Sequence, residues 1–167
     1  MEVTRYYLKI ESLDNFKDSY EKKKDLTILK EKNLDICFVK FLYKEIGKDF
    51  YWWDRLVWSD KEWFDLISRS DYQLYTLRIL NDLGGYYEVL SDKKKNFEIS
   101  YFGIFRKYFG KKIGSYLLSH AIKNLFNQGA KKIWVHTCTL DHPNGLNNYL
   151  SRGMEVYKKE KIEFQIT

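Results

Sequence analysis

The chain has 167 residues, enough for one domain with a sizeable core and too few for two of ordinary size. Hydrophobic residues make up 44% and aromatics 18% against 31% charged, which sets aside global disorder. The net charge of +6 is spread over single lysines and short clusters such as Lys22-Lys23-Lys24 and Lys93-Lys94-Lys95, with no basic tail, so nucleic acid is not expected as a partner.

The start, Met1-Glu2-Val3-Thr4-Arg5, lacks a signal-peptide profile, and no apolar run approaches the ~18 residues a membrane span requires. A cytoplasmic protein without a membrane partner is expected. Val3 to Ile10 alternates β-prone residues and predicts an opening strand. The polar stretch from Glu11 to Asn33 predicts one weak helix at most. Asp35 is an N-cap residue for a helix whose apolar positions Ile36, Val39, Leu42, Tyr43 and Ile46 recur at helical spacing until Gly47. An aromatic loop from Phe50 through Trp52, Trp53 and Asp54 to Trp58 follows, and then Ser59-Asp60-Lys61-Glu62 forms a capping box for a short helix through Ile67.

Tyr72 to Leu80 and Gly85 to Leu90 read as a hairpin turning at Asn81-Asp82-Leu83-Gly84. A second turn over Ser91 to Asn96 leads to a strand from Phe97 to Ile104, giving three antiparallel strands in succession. The glycine-bearing turn Phe109-Gly110-Lys111-Lys112-Ile113-Gly114-Ser115 opens a helix from about Lys111 to Asn127, which Gly129 ends. Lys132 to Thr139 is a strand, Asn144 to Arg152 a short helix ended by Gly153, and Glu155 to Phe164 a final strand. The series implies one α/β domain around a mixed sheet.

A glycine turn between a strand and a helix suits an anion, because the first N–H groups of a helix have no partner within it and the helix dipole is positive there. The spacing fits neither the P-loop, since Ser115 follows Gly114 where lysine should stand, nor the dinucleotide pattern. Cys37 and Cys138 form no C-x-x-C pair, which excludes a disulfide framework or zinc knuckle. His136, Cys138 and His142 lack an obvious fourth ligand, and no metal is expected.

At this turn the chain resembles the GNAT superfamily of acyl-CoA N-acyltransferases. The signature Gln/Arg-x-x-Gly-x-Gly/Ala falls on Phe109 to Gly114, with Phe109 at the Gln/Arg position, Lys112 at the first glycine and Gly114 matching the second. Asn148-Tyr149-Leu150-Ser151-Arg152-Gly153-Met154 is similar to the later Tyr-x-x-x-Gly-Phe segment. The stretches Phe41 to Arg55, Tyr101-Phe102-Gly103 and His136 to Pro143 look like an uncharacterised bacterial branch of the superfamily, and the likeness runs roughly from Ile36 onward, with Val3 to Ile10 as the first strand.

The resemblance implies a single domain over residues 1–167, with its signature region at about 97–154. The sheet would be mixed and mostly antiparallel, splayed at a cofactor cleft and flanked by helices on both faces. It implies acetyl-CoA as cosubstrate and a small-molecule or peptide amine as acceptor, with direct transfer in a ternary complex. Coenzyme A would lie against Phe102, Gly103 and Ile104 of the bulged strand, and against Phe109, Gly110, Lys111, Lys112, Ile113, Gly114 and Ser115, with His142 beside it. Lys112 suits that role if the backbone there avoids positive φ. Glu98 would be the general base and Tyr149 the general acid, while Trp52, Trp53, Trp58 and Glu88 or Asp54 would wall the acceptor site. Two rivals stand beside this reading: a non-catalytic acyl-CoA sensor, and a nucleic-acid-binding module using lysines and exposed aromatics, which the dispersed lysines disfavour. A Cys138 nucleophile working with His136 or His142 ranks below the Tyr149 scheme. A homodimer is compatible with the sequence, and the acceptor's identity is left open.

Overall fold

The computed structural model describes residues 1–19 and 23–165. Seven strands form one sheet: β1 (Glu2–Ile10), β2 (Leu26–Lys30), β3 (Gln73–Ile79), β4 (Asp82–Ser91), β5 (Asn96–Ile104), β6 (Lys132–Cys138) and β7 (Glu155–Glu163). Their spatial order is β2-β3-β4-β5-β6-β1-β7, and every neighbouring pair is antiparallel except β5–β6. Helices cover both faces. On one face α3 (Ile113–Asn127) and α4 (Gly145–Ser151) pack over Leu8, Leu77, Val89, Ile99, Ile133 and Val135. On the other, α1 (Ile36–Gly47) and α2 (Asp60–Ile67) pack over Leu74 and Tyr86.

The helix boundaries follow from their caps. Asp35 accepts from the N–H groups of Cys37 and Phe38 at 2.6 and 3.2 Å, and Ser59 with Glu62 forms the reciprocal box expected of them. At the end of α3 the N–H of Ala130 reaches the Leu125 carbonyl and that of Gly129 the Phe126 carbonyl, a Schellman arrangement that requires the positive φ of Gly129, +86°.

Two expectations are corrected. The segment from Glu11 to Asn33 holds one 3₁₀ turn (Leu13–Asn15) and the edge strand β2 rather than a weak helix; residues 20–22 of it lie outside the described residues. Leu26 and Ile28 pack on the core as alternate strand positions, so pairing with β3 overrides a pattern too short to read. The hairpin turns at Leu80-Asn81, with Leu80 at φ +56°, and Gly84 and Gly85 lie inside β4. The opening strand does not pair with its successors in sequence: β1 lies between β6 and β7.

Between α1 and α2 the loop is fixed by a buried ion pair. Arg55, 7% exposed, donates from both terminal nitrogens to the two carboxylate oxygens of Glu88, 1% exposed, at 2.9 and 2.8 Å. Tyr72 and Ser100 donate their hydroxyls to the same carboxylate at 2.8 and 2.7 Å. Burial alone would lower the Arg55 pKa, and the Glu88 charge more than offsets this, so the guanidinium stays charged. Breaking one side of such a pair strands the other, at a cost of about 3–5 kcal/mol. Glu88→Gln is therefore expected to lower the unfolding free energy by about 3 kcal/mol in urea titrations, more than any exposed ion pair in the chain.

Candidate functional site

Strands β5 and β6 run parallel but pair only over Asn96, Phe97 and Glu98 with Lys132, Ile133 and Trp134. Beyond Glu98 they part, and a cleft of about 840 Å³ opens between them and passes from one face of the sheet to the other. The bulge that bends β5 is at Ser100, which stands unpaired between the Glu88–Tyr101 and Val89–Ile99 pairs, just ahead of Phe102, Gly103 and Ile104. Gly103 has another cause: a Cβ there would meet Ile46 of α1 at 2.3 Å, so the glycine lets α1 close onto the sheet.

At the α3 end, the cleft is lined by Phe109, Gly110, Lys112, Ile113, Gly114 and Ser115. No side chain caps α3, and among the described residues no backbone N–H from Gly110 to Ser115 donates to a protein carbonyl. The first turn thus offers an uncommitted set of donors to an anion. Lys112 sits at φ +58°, ψ +22°, the left-handed conformation that the sequence reading required it to avoid. Its carbonyl accepts from the Ser115 hydroxyl at 2.9 Å, which holds the turn. At Gly114 an added Cβ would find Asn148 at 3.6 Å and Ile104 at 3.8 Å, ordinary contacts, so packing within the protein does not demand a glycine there. The backbone is bare toward the cleft.

Phe102, Gly103 and Ile104 line the cleft along β5, and Tyr149 of α4 faces it edge-on to Phe102, with ring centroids 6.1 Å apart. Burial, with the Asp141 charge behind it, raises the Tyr149 pKa, so the phenol stays protonated at neutral pH, and no described residue hydrogen-bonds its hydroxyl. Glu98 stands where the strands part. Burial first, then the Glu88 charge, push its carboxyl above the usual carboxylate range. Residues Phe97 and Ile99 face α3, so Glu98 points to the opposite face, where the charges of Glu88, Arg55 and Arg69 act on it. Glu98 and Tyr149 therefore line one cleft from its two sides.

The aromatic loop forms the other wall. Trp52 packs its ring on Tyr101 at 4.7 Å, and Trp53 meets Tyr51 and Phe164 at 5.1 and 5.5 Å. Asp54 is fixed by the hydroxyls of Tyr43 at 2.6 Å and Tyr101 at 2.8 Å. His142 also lines the cleft, its ring edge-on to Phe109 at 4.7 Å. Three expected residues lie elsewhere. Glu88 is sealed beneath Arg55, Trp58 covers the Arg55 guanidinium at 4.9 Å, and Lys111 does not line the cleft, its ammonium lying over the Tyr108 ring at 5.5 Å. Cys138 lines the cleft, but burial and Asp141 push its thiol pKa up, and no imidazole hydrogen-bonds it, which removes the basis for a thiolate nucleophile. Among the described residues no group of three or more His, Cys, Asp or Glu side chains is placed to hold a metal.

Sequence reasoning missed Arg5, Asn148, Asp141 and Arg152 in the lining. Arg5 could not have been found, because nothing in the sequence says that β1 inserts beside β6. Asn148 lies within the segment that carries the resemblance at Tyr149, but nothing in the sequence singles it out from its neighbours.

The model of the acetyltransferase (GNAT) family matches residues 39–154. No curated protein matches the chain by sequence. Among solved structures, the chain is similar to a GCN5-related N-acetyltransferase from Sphaerobacter thermophilus, with a TM-score of 0.71 at 15% identity, covering 94% of this chain and 49% of that one. It is also similar to an aminoglycoside acetyltransferase from an uncultured soil metagenomic sample, solved with trehalose, with a TM-score of 0.66 at 15% identity and coverage of 88% and 99%. A GNAT family acetyltransferase from Elizabethkingia anophelis with acetyl-CoA bound gives a TM-score of 0.50 at 19% identity, with coverage of 68% and 65%. The chain thus spans about half the length of the Sphaerobacter protein and nearly all of the soil one. At these identities the structural likeness establishes the fold.

Two outcomes check the site's energetics. A residue with a Cβ in the left-handed region costs about 1–2 kcal/mol, against about 0.5–1 for the freedom of a glycine, so Lys112→Gly is expected to stabilise the fold by up to about 1 kcal/mol in urea unfolding. Because the folded-state pKa of Glu98 is raised, its contribution is present below the ordinary glutamate range and is lost as pH rises through the raised value. Glu98→Gln is expected to remove that pH dependence and to leave the melting temperature at pH 7 equal or higher.

Proposed function

This chain belongs to the acetyltransferase (GNAT) family, and from that premise we propose that it moves an acetyl group from acetyl-CoA to a primary amine by direct attack. The observation that carries the reading is the single cleft through the sheet, with uncommitted N–H donors at one end and a carboxyl of raised pKa and a protonated phenol on its two sides.

The residues fit a coenzyme A thioester. Gly110 to Ser115 would take its phosphates, and the stretch of β5 from Phe102 to Ile104, released from β6, would pair with the arm that carries the acyl group. Acetyl-CoA supplies an activated carbonyl whose C–S bond breaks as the C–N bond to the amine forms. Glu98 takes the proton that an ammonium must lose before it can attack, and its raised pKa makes the ionised form a better base at neutral pH. Backbone N–H groups on the β5 edge released from β6 would favour charge on the carbonyl oxygen. Tyr149 holds the proton that the departing sulfur requires. Asp54, Trp53 and Tyr51 form an acidic, aromatic wall that suits a cationic amine. A non-catalytic sensor would have no need for Glu98 and Tyr149 to line the same cleft.

The test is an acetyl-CoA titration followed by an amine screen that reads released thiol. Tyr149→Phe and Glu98→Gln are each expected to lower turnover by about 10²-fold or more while acetyl-CoA affinity is retained. Failure to bind any acyl-CoA, or full turnover in both variants, overturns the reading. In the wild type kcat/KM is expected to fall as pH drops through a value above the ordinary glutamate range, and this limb is expected to disappear in Glu98→Gln.

A further inference from the structure

Arg5 is an unpaired cation in the wall of the cleft. On β1, Tyr6, Leu8 and Ile10 pack against the α3 side, so Arg5 points to the opposite face, which Glu98 shares. It stands across from Cys138 of β6 and Glu160 of β7. Among the described residues it forms no ion pair and no side-chain hydrogen bond, and its Nε is buried without a partner. The carboxylates around it are committed elsewhere. Glu160 accepts from Tyr7 at 2.7 Å and pairs with Lys158 at 3.0 Å. Asp141 accepts from the Thr137 hydroxyl at 2.5 Å and the Cys138 N–H at 3.0 Å. Asp54 accepts from Tyr43 and Tyr101. A half-buried guanidinium with a stranded N–H is costly unless something anionic meets it, and its planar fork matches a carboxylate bidentately.

Glu98 is opposite Trp134 and Arg5 opposite Cys138, four residues farther along β6, roughly 13 Å at 3.3 Å per residue. The acceptor side of the cleft therefore carries a base for an amine at one place and a vacant cation at another, with Tyr51, Trp53 and Phe164 closing it over. We infer that the acceptor is an amine that also bears a carboxylate, held by Arg5 while its amino group meets Glu98. This rests on the acyltransfer reading for the amine end and on the unpaired Arg5 for the carboxylate end. It makes Arg5 a specificity-determining residue.

The experiment compares 6-aminohexanoate with hexylamine, and 4-aminobutanoate with butylamine, by calorimetric titration of the whole protein. Wild type is expected to bind each amino acid at least 10-fold more tightly than its matched amine. Arg5→Met, which keeps the stem and breaks no side-chain hydrogen bond or ion pair among the described residues, is expected to abolish that difference, and Arg5→Lys to keep part of it. Equal affinities in the wild type, or a preference that survives in Arg5→Met, overturn the inference. Thiol release measured with the same four amines separates the two claims: Arg5-dependent binding without transfer sinks the acyltransfer reading alone, and transfer without carboxylate preference sinks this one alone.

Discussion

The Arg55–Glu88 pair is the interaction on which the site depends. It joins a loop with little regular structure to the strand beside the cleft, and does so where water is excluded. Its hydrogen-bond partners come from β3, through Tyr72 just before it, and from the β5 bulge, through Ser100. One carboxylate thus ties together the loop that walls the cleft and the irregularity that opens it. The same charge acts on Glu98, where it adds to burial in raising the pKa of the residue proposed as base. The pair's net contribution to stability is a separate matter from its effect on geometry, since buried pairs often gain little over apolar packing. What it secures here is the position of Asp54, Trp52 and Trp53.

The cleft itself follows from an incomplete ladder. Three residues of parallel pairing hold β5 to β6, and the remainder of β5 keeps one edge without a strand. Unpaired strand edges are ordinarily covered or blunted. In this fold the edge faces a cavity, and the helix start at its far end is equally uncommitted because α3 lacks a side-chain cap. The left-handed Lys112 belongs to the same pattern, a strained residue at the point where the backbone must turn its N–H groups outward.

Much of this was legible in the sequence because it is local. Asp35, the Ser59–Glu62 box and Gly129 each act within a few residues, and they set helix limits that agree with the structure. The order of β5, the glycine turn and α3 could be read for the same reason. What escaped depends on long-range pairing. Leu26 to Lys30 has too few residues to show a period and becomes a strand only because β3 is beside it. Glu88 resembles any charged strand residue until Arg55 closes over it, and Arg5 gains its place only through the insertion of β1 between β6 and β7. The bulge lies at Ser100, ahead of the stretch from Phe102 to Ile104 to which the resemblance pointed, and a glycine in a strand does not reveal whether the backbone bends or a helix presses close.

The central claim is that one cleft holds both reactants together, one from each face of the sheet. Initial-velocity kinetics with acetyl-CoA and an accepted amine test it most directly. Double-reciprocal plots should intersect to the left of the axis, as a ternary complex requires. Parallel lines, with an acetyl group trapped on Cys138 in the absence of amine, would contradict the account.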